Sequence, residues 1–167
     1  VSRARNSPKR IRGGLDIVWF FSAVFIVVFL FDRVTKVLVF SGQAPGSSYP
    51  VIDNILHISP VCNKGIAFGL FPGLGNTFFA VTSCLVLLFI AYLLIFKRPR
   101  SFLLMSGICL VSAGALGNLV DRLAYGHVLD FIDLRCWPVF NIADSAITLG
   151  VSLVLFYLFC QGGFARA

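Results

Sequence analysis

The sequence predicts an all-α membrane protein in which four transmembrane helices carry a small extracytoplasmic cap rich in β-structure. Three observations predict it. The chain of 167 residues is 58% hydrophobic and only 13% charged, with a mean hydropathy of +0.91, whereas about a quarter of residues are charged in a water-soluble domain. Two runs of twenty residues, Thr77 to Phe96 and Ser101 to Val120, contain no formal charge. At about 1.5 Å per residue each is long enough to cross a hydrocarbon core of about 30 Å. Basic residues gather where a four-span topology puts one side of the membrane. The length allows a single domain, 1–167, of at most about five spans, which excludes soluble multidomain enzymes and large transporters.

In chain order, residues 1–14 form a basic tail in which Arg3, Arg5, Lys9, Arg10 and Arg12 precede the first apolar run, and the positive-inside rule puts them in the cytoplasm. A first span is expected from about Ile17 to Phe40, with Asp32 and Lys36 in its last third. Reading Ile17 to Phe31 as the apolar part of a cleaved signal peptide is disfavoured: no A-x-A-like site follows, and Asp32 and Lys36 stand where the cleavage region would be. The outer segment 41–76 holds Pro45, Pro50, Pro60, Pro72 and six glycines, and Asn54 to Ile58 is expected as a short strand between turns. Its thirty-six residues are long for a mere connection, and loops of that length are usually functional. The two charge-free runs form an antiparallel hairpin around Lys97-Arg98-Pro99-Arg100, a basic turn expected in the cytoplasm. A shorter outer piece, about Asp121 to Phe140, leads to a fourth span from about Asn141 to Cys160 with Asp144 in its first turn. Both termini are then cytoplasmic, in agreement with Arg166. The net charge of +7 therefore follows membrane topology; with no base-reading module present, no nucleic-acid partner is expected. The five cysteines form no C-x-x-C pair and read as small packing residues, with Cys62 and Cys136 near a surface.

All seven acidic residues are Asp. Only Asp16 falls at the cytoplasmic end, while Asp32, Asp53, Asp121, Asp130, Asp133 and Asp144 lie in the outer half of the membrane or beyond it. Ionisable groups inside a membrane are costly and mark function by default, so any chemistry is expected at the outer face. Asp32 and Lys36 share a helix face at i, i+4, which suits an ion pair closing the first span or a role in a site. Asp121 precedes Arg122 and lies one turn after Asn118, which reads as a hydrogen-bonded scaffold. Asp130 and Asp144 have no Lys or Arg within four residues and adjoin Leu129, Phe131, Ala143 and Phe140, surroundings that raise a carboxyl pKa. Two readings of them stay open. Asp144 is an acid in the first turn of a helix capped by Asn141 and Asp130 a loop residue, or the two meet and share a proton. Such a pair suits amide hydrolysis: one carboxylate takes a proton from water while the other, protonated, polarises the scissile carbonyl. Other nucleophiles lack support, since there is no G-x-S-x-G elbow, and without Glu the H-E-x-x-H metal motif is impossible. His57 and His127 could form a two-His site on paper but read first as loop-packing residues.

Five segments then match one pattern in order: Asp32-Arg33-Val34-Thr35-Lys36, Asn63-Lys64-Gly65-Ile66-Ala67-Phe68-Gly69, Gly114 to Arg122, Val128-Leu129-Asp130-Phe131, and Phe140-Asn141-Ile142-Ala143-Asp144-Ser145. Together they make the chain resemble the bacterial prolipoprotein signal peptidases, signal peptidase II. The resemblance runs from the first span to the fourth. It implies a four-helix aspartyl endopeptidase of the bacterial inner membrane, active at the extracytoplasmic face, with a β-cradle formed by 41–76. Such an enzyme removes the signal peptide from prolipoproteins, cutting before a cysteine that already carries diacylglycerol. It implies Asp130 and Asp144 as the catalytic pair, and Asp32, Lys36, Asn63, Gly65, Asn118, Asp121, Arg122, Val128, Asn141 and Ala143 as substrate-binding or supporting residues. The side chains make physical sense in those roles: Asn can donate to a carbonyl without titrating, Gly65 lets backbone approach a substrate, Ala143 leaves space beside the pair, and Arg122 can hold an acidic neighbour or bound backbone. The partners it implies are lipidated prolipoproteins, membrane lipid and the lipopeptide inhibitor globomycin, with no metal or organic cofactor. Lys64 departs from the pattern, where a small hydroxyl residue is usual, and Asp133 matches no essential position and reads as solvated. A proton-coupled carrier using Asp32 or Asp144 is the rival class, but it has no use for acids crowded at one face or for a long outer cap.

Overall fold

The computed structural model describes residues 13–65 and 75–164, with side chains from 18 onward to 161. The basic tail, the Ile66 to Gly69 end of the second motif, Pro72 and Arg166 lie outside the described residues. The elements are α1 (Gly13–Gly42), β1 (Tyr49–Ile52), β2 (Leu56–Asn63), α2 (Asn76–Tyr92), α3 (Phe102–Tyr125), β3 (Val128–Asp133) and α4 (Ile142–Phe164). Among the described residues, three helical stretches are long and apolar enough to cross a membrane: Asn76–Lys97, Phe102–Tyr125 and Ile142–Gln161. The first includes a looser π-helical turn, Leu93–Lys97, closed by Arg98 in the left-handed region at φ 46°. These helices carry apolar side chains around most of their circumference, so Leu85, Leu88, Phe89, Phe96, Leu155 and Phe159 are exposed, as suits surfaces in contact with lipid.

The helix ends follow local chemistry. The Ser101 hydroxyl accepts from the Leu104 amide at 3.4 Å, capping α3, and Gly126 ends it at φ 76° with its N–H donating to the Arg122 carbonyl at 3.1 Å, as glycine allows. The helix thus continues through Asp121 and Arg122, which the sequence reading assigned to an outer loop. Charged residues extend it because the fold supplies their partners.

The centre of the bundle is the α3–α4 contact. A methyl group added at Gly107 would lie 2.8 Å from the Gly150 carbonyl oxygen, one at Gly150 would lie 2.7 Å from that of Gly107, and one at Gly114 would strike the Ala143 carbonyl. Where lipid removes the hydrophobic drive between helices, such close backbone contact is what holds them together.

The three strands form one antiparallel sheet in the order β1-β2-β3. The expected strand Asn54–Ile58 is displaced: Asn54 has φ 59° and sits with Ile55 in a turn, and the strand begins at Leu56. A shift in register between Ile58 and Val61 brackets Ser59 and Pro60, a position where proline costs no ladder hydrogen bond. Nor is the cap built from 41–76 alone, because its third strand is β3. That strand pairs Asp130 with Val61 and Val128 with Asn63, bringing the second and fourth sequence motifs side by side.

Candidate active site

Asp130 stands on β3 and Asp144 in the first turn of α4, and Asn141 joins them. The Asn141 amide nitrogen donates to Asp130 Oδ1 at 2.6 Å, to Asn118 Oδ1 at 3.1 Å and, more weakly, to the Leu129 carbonyl at 3.4 Å. Its side-chain oxygen accepts from the Asp144 backbone N–H at 2.8 Å, while its own N–H donates to Asp144 Oδ2 at 3.3 Å. This reciprocal cap of α4 fixes Asp144 relative to Asp130. Asn118 of α3 donates to Asp144 Oδ1 at 2.7 Å, and Asn63 of β2 donates to Asp130 Oδ2 at 2.8 Å. Each carboxylate oxygen of the two acids therefore meets an amide donor that cannot itself titrate. Burial, followed by the nearby Asp144 charge, pushes the Asp130 carboxyl up to about 7, and the Asn63 and Asn141 donors pull it the other way. A cleft of about 390 Å³ lined by Val61, Cys62, Asn63, Lys64, Asp130, Pro138 and Val139 reaches Asp130 from outside.

Asn63 is held in turn by its own loop. Its Oδ1 accepts from the Gly65 N–H at 2.8 Å, which leaves its amide nitrogen for Asp130. Gly65 has φ 97°, and a Cβ there would run into the Phe79 ring, so glycine is required twice over. Val128 is buried at the start of β3 opposite Asn63.

Beneath the acids lies a cluster of four charges. Lys36 Nζ is 2.7 Å from Asp121 Oδ2 and 3.0 Å from Asp32 Oδ2, and it donates to Asn118 Oδ1 at 3.2 Å. Arg33 pairs with Asp121 Oδ1 at 2.6 Å and with Asp32 Oδ2 at 2.7 Å. The remaining lone pairs are used: Asp32 Oδ1 accepts from the Ala143 N–H at 3.0 Å and Asp121 Oδ2 from the Leu129 N–H at 3.2 Å. Two acids and two bases cancel, and Asp32, Lys36 and Asp121 are each at most 1% exposed. The cluster ties α1 to α3, β3 and α4, and its lysine orients the asparagine that donates to Asp144. Arg33 appeared in the sequence only as a letter between Asp32 and Lys36; the signal that could have singled it out is charge balance, since Lys36 alone cannot neutralise both Asp32 and Asp121.

Asp133 corrects an expectation: it is buried, not solvated, and accepts from Ser59 Oγ at 3.0 Å and from the Arg135 N–H at 2.8 Å. Arg122 belongs to the hydrogen-bonded end of α3, its guanidinium 5.5 Å from the centre of the Phe79 ring and donating to the Asn118 carbonyl at 3.3 Å. Ala143 is fully buried, its N–H on Asp32 Oδ1 and its methyl 3.3 Å from where a Cβ at Gly117 would lie. The histidines fall at opposite ends of the β2–β3 ladder, His57 against the Ser48 hydroxyl at 3.0 Å and His127 against the Tyr125 ring at 6.2 Å.

Known proteins resemble this chain along most of its length. The family profile described as Signal peptidase (SPase) II matches residues 24–160. The lipoprotein signal peptidase of Halothermothrix orenii is 39% identical over 138 residues, covering 83% of this chain and 94% of that protein. The lipoprotein signal peptidase of Pelotomaculum thermopropionicum is 42% identical over 140 residues, covering 83% and 91%. Among solved structures, a bacterial membrane enzyme determined by the in meso method at 2.3 Å resolution superposes with a TM-score of 0.80 at 34% identity, covering 87% of this chain and 90% of that one. A second, at 1.9 Å resolution, gives 0.76 at 35% identity, covering 84% and 93%. The chain belongs to the signal peptidase II family.

Proposed function

We propose that this chain removes the signal peptide from prolipoproteins as an aspartyl endopeptidase, with Asp130 and Asp144 as its acid–base pair, cutting before the diacylglyceryl-modified cysteine at the outer face of the bacterial inner membrane. The observation that carries this reading is Asn141, one residue that donates to both carboxylates, from its side-chain amide to Asp130 and from its backbone N–H to Asp144. The pair shares one proton, and Asp130, titrating near 7, can carry it at neutral pH. The ionised partner takes a proton from a water whose oxygen attacks the scissile carbonyl carbon, and the protonated partner gives its proton to the carbonyl oxygen. As the C–N bond breaks, the acid that gained the water proton protonates the departing amine of the cysteine. The carbonyl re-forms and returns its hydroxyl proton to the other acid, so the pair ends with one proton, as it began.

The 30-residue α1 is the fourth span in this reading. Its length of about 45 Å exceeds the hydrocarbon core, and its exposed Ile26, Val27, Leu30, Val34 and Leu38 suit contact with lipid. Four crossings put both termini in the cytoplasm and the acids outside, and make 1–167 one peptidase domain. The cleft against Asp130 receives the substrate backbone and, in the same groove, globomycin.

The test is cleavage of a diacylglyceryl-modified prolipoprotein by purified protein, followed as a gel shift. Asp130→Asn and Asp144→Asn should each lower the rate by about 10²-fold or more while the protein stays folded in membranes. Either variant keeping above about a tenth of the activity would remove that residue from the pair.

A further inference from the structure

The end of the bundle away from Asp130 and Asp144 contains an apolar cleft whose lining includes neither of them. It has a volume of about 1170 Å³, more than the roughly 300–1,000 Å³ of ordinary small-molecule sites. Val18 and Phe25 of α1, Leu94 at the end of α2, and Met105 and Ile108 of α3 line it, and Arg98 and Arg100 from the turn between α2 and α3 complete it. Met105 and Asp121 are about 24 Å apart along α3 at 1.5 Å per residue, so this is a different level of the membrane from the catalytic pair. Both arginines are exposed, and neither forms an ion pair among the described residues; Arg98 spends only its Nε, on the Ile95 carbonyl at 3.2 Å.

We infer that this cleft binds an anionic membrane phospholipid, with an acyl chain along the apolar wall and the phosphate held between Arg98 and Arg100. The two halves of the site choose the occupant together. The apolar wall, within a membrane-spanning bundle, favours hydrocarbon over a soluble anion. Two guanidiniums with no ion-pair partner among the described residues repel both the basic start of a signal peptide and the chain's own basic tail, which carries five basic residues in its first twelve. They attract a phosphodiester with no compensating ammonium, and a basic pocket between spans is the known setting for anionic headgroups. Guanidinium also suits the phosphate geometrically, since it can donate two parallel hydrogen bonds.

The experiment uses the full chain in a neutral detergent. Phosphatidylglycerol, phosphatidylcholine or inorganic phosphate is added, with bound mass read by native mass spectrometry and the melting temperature read in parallel. One phosphatidylglycerol should be retained in preference to phosphatidylcholine and should raise the melting temperature, with phosphate alone inert. The double variant Arg98→Ala/Arg100→Ala should lose about twenty-five-fold of that preference, each base contributing about a factor of five, with cleavage of detergent-solubilised substrate unchanged. Val18→Trp, at an exposed lining position, should weaken retention of both lipids while the arginines remain. Equal retention of the two lipids, the same stabilisation by phosphate alone, an undiminished preference in the double variant, or a dimer that closes the cleft without lipid would each overturn the inference.

Discussion

The proposed mechanism requires Asp130 to be uncharged part of the time, and its surroundings make that possible at neutral pH. A carboxyl ordinarily at 3.8 is pushed up to about 7 by burial and then by the charge of Asp144, so the folded chain binds this proton more tightly than the unfolded one. By linkage, the stabilising contribution is complete below about 4 and is lost as pH rises towards about 7, beyond which it changes no further. Asp130→Asn removes that dependence. Its melting temperature in detergent should vary less than the parent's between about pH 4 and 7 and should exceed the parent's at alkaline pH, even as cleavage is lost. In the parent, kcat/KM should fall as pH rises through the region of 7, where the pair gives up its shared proton. A variant as pH-sensitive as its parent, or a parent rate unchanged well above pH 8, would mean that this carboxyl is not held as described.

At the scale of elements, the charge cluster decides how α1, α3 and α4 sit against one another, and it reaches the chemistry through Asn118, Ala143 and the Leu129 N–H beside Asp130. Removing one member of a buried ionic group leaves its partners uncompensated, at a cost of about 3–5 kcal/mol. Asp121→Asn and Arg33→Ala should therefore each lower stability and activity together. The double variant should be less harmful than the sum of the two, because Arg33 and Asp121 are direct partners at 2.6 Å. Arg122→Ala, outside the cluster, should be milder in stability. Activity abolished at unchanged melting temperature in Asp121→Asn would instead place Asp121 among the reacting groups. The same cluster marks the limit of what the sequence makes legible. Helices α2 and α3 follow from two charge-free runs, Asn141 as a helix cap from its place before an apolar run, and the candidacy of Asp130 and Asp144 from their lack of basic neighbours. Arg33 and the course of Arg122 were not legible, because each depends on a partner from another element or on the angle between successive helical residues. Strand β3 was hidden for a related reason: Val128 to Asp133 is a strand by virtue of pairing with β2, about seventy residues earlier, and carries two Asp, which strands ordinarily avoid.

At the scale of the whole molecule, the fold brings Asp130 and Asp144 to one end of a bundle whose outer faces are apolar, an arrangement that suits a substrate arriving through the plane of the membrane. A prolipoprotein brings two anchors, its apolar signal segment and the diacylglyceryl group on the cysteine. In the proposed mechanism the second fixes the depth of the bond to be cut relative to Asp130 and Asp144. Holding the scissile carbonyl at that level converts an encounter into an effectively unimolecular attack, and loss of such positioning costs large factors in rate. The same peptide without diacylglycerol should therefore be cut poorly or not at all, even at concentrations that saturate the lipidated form. Globomycin should block cleavage of the lipidated substrate by occupying the cleft beside Asp130. A metal chelator should leave the rate unchanged, since the oxygens of both acids are already engaged by Asn63, Asn118 and Asn141 and the two histidines stand at opposite ends of the β2–β3 ladder. The measurement is a matched time course of both substrates, each with and without chelator and inhibitor. Equal turnover of the two substrates would show that the lipid does not set the register, and activity lost on chelation but restored by zinc would transfer the chemistry from the carboxylate pair to a metal-bound water.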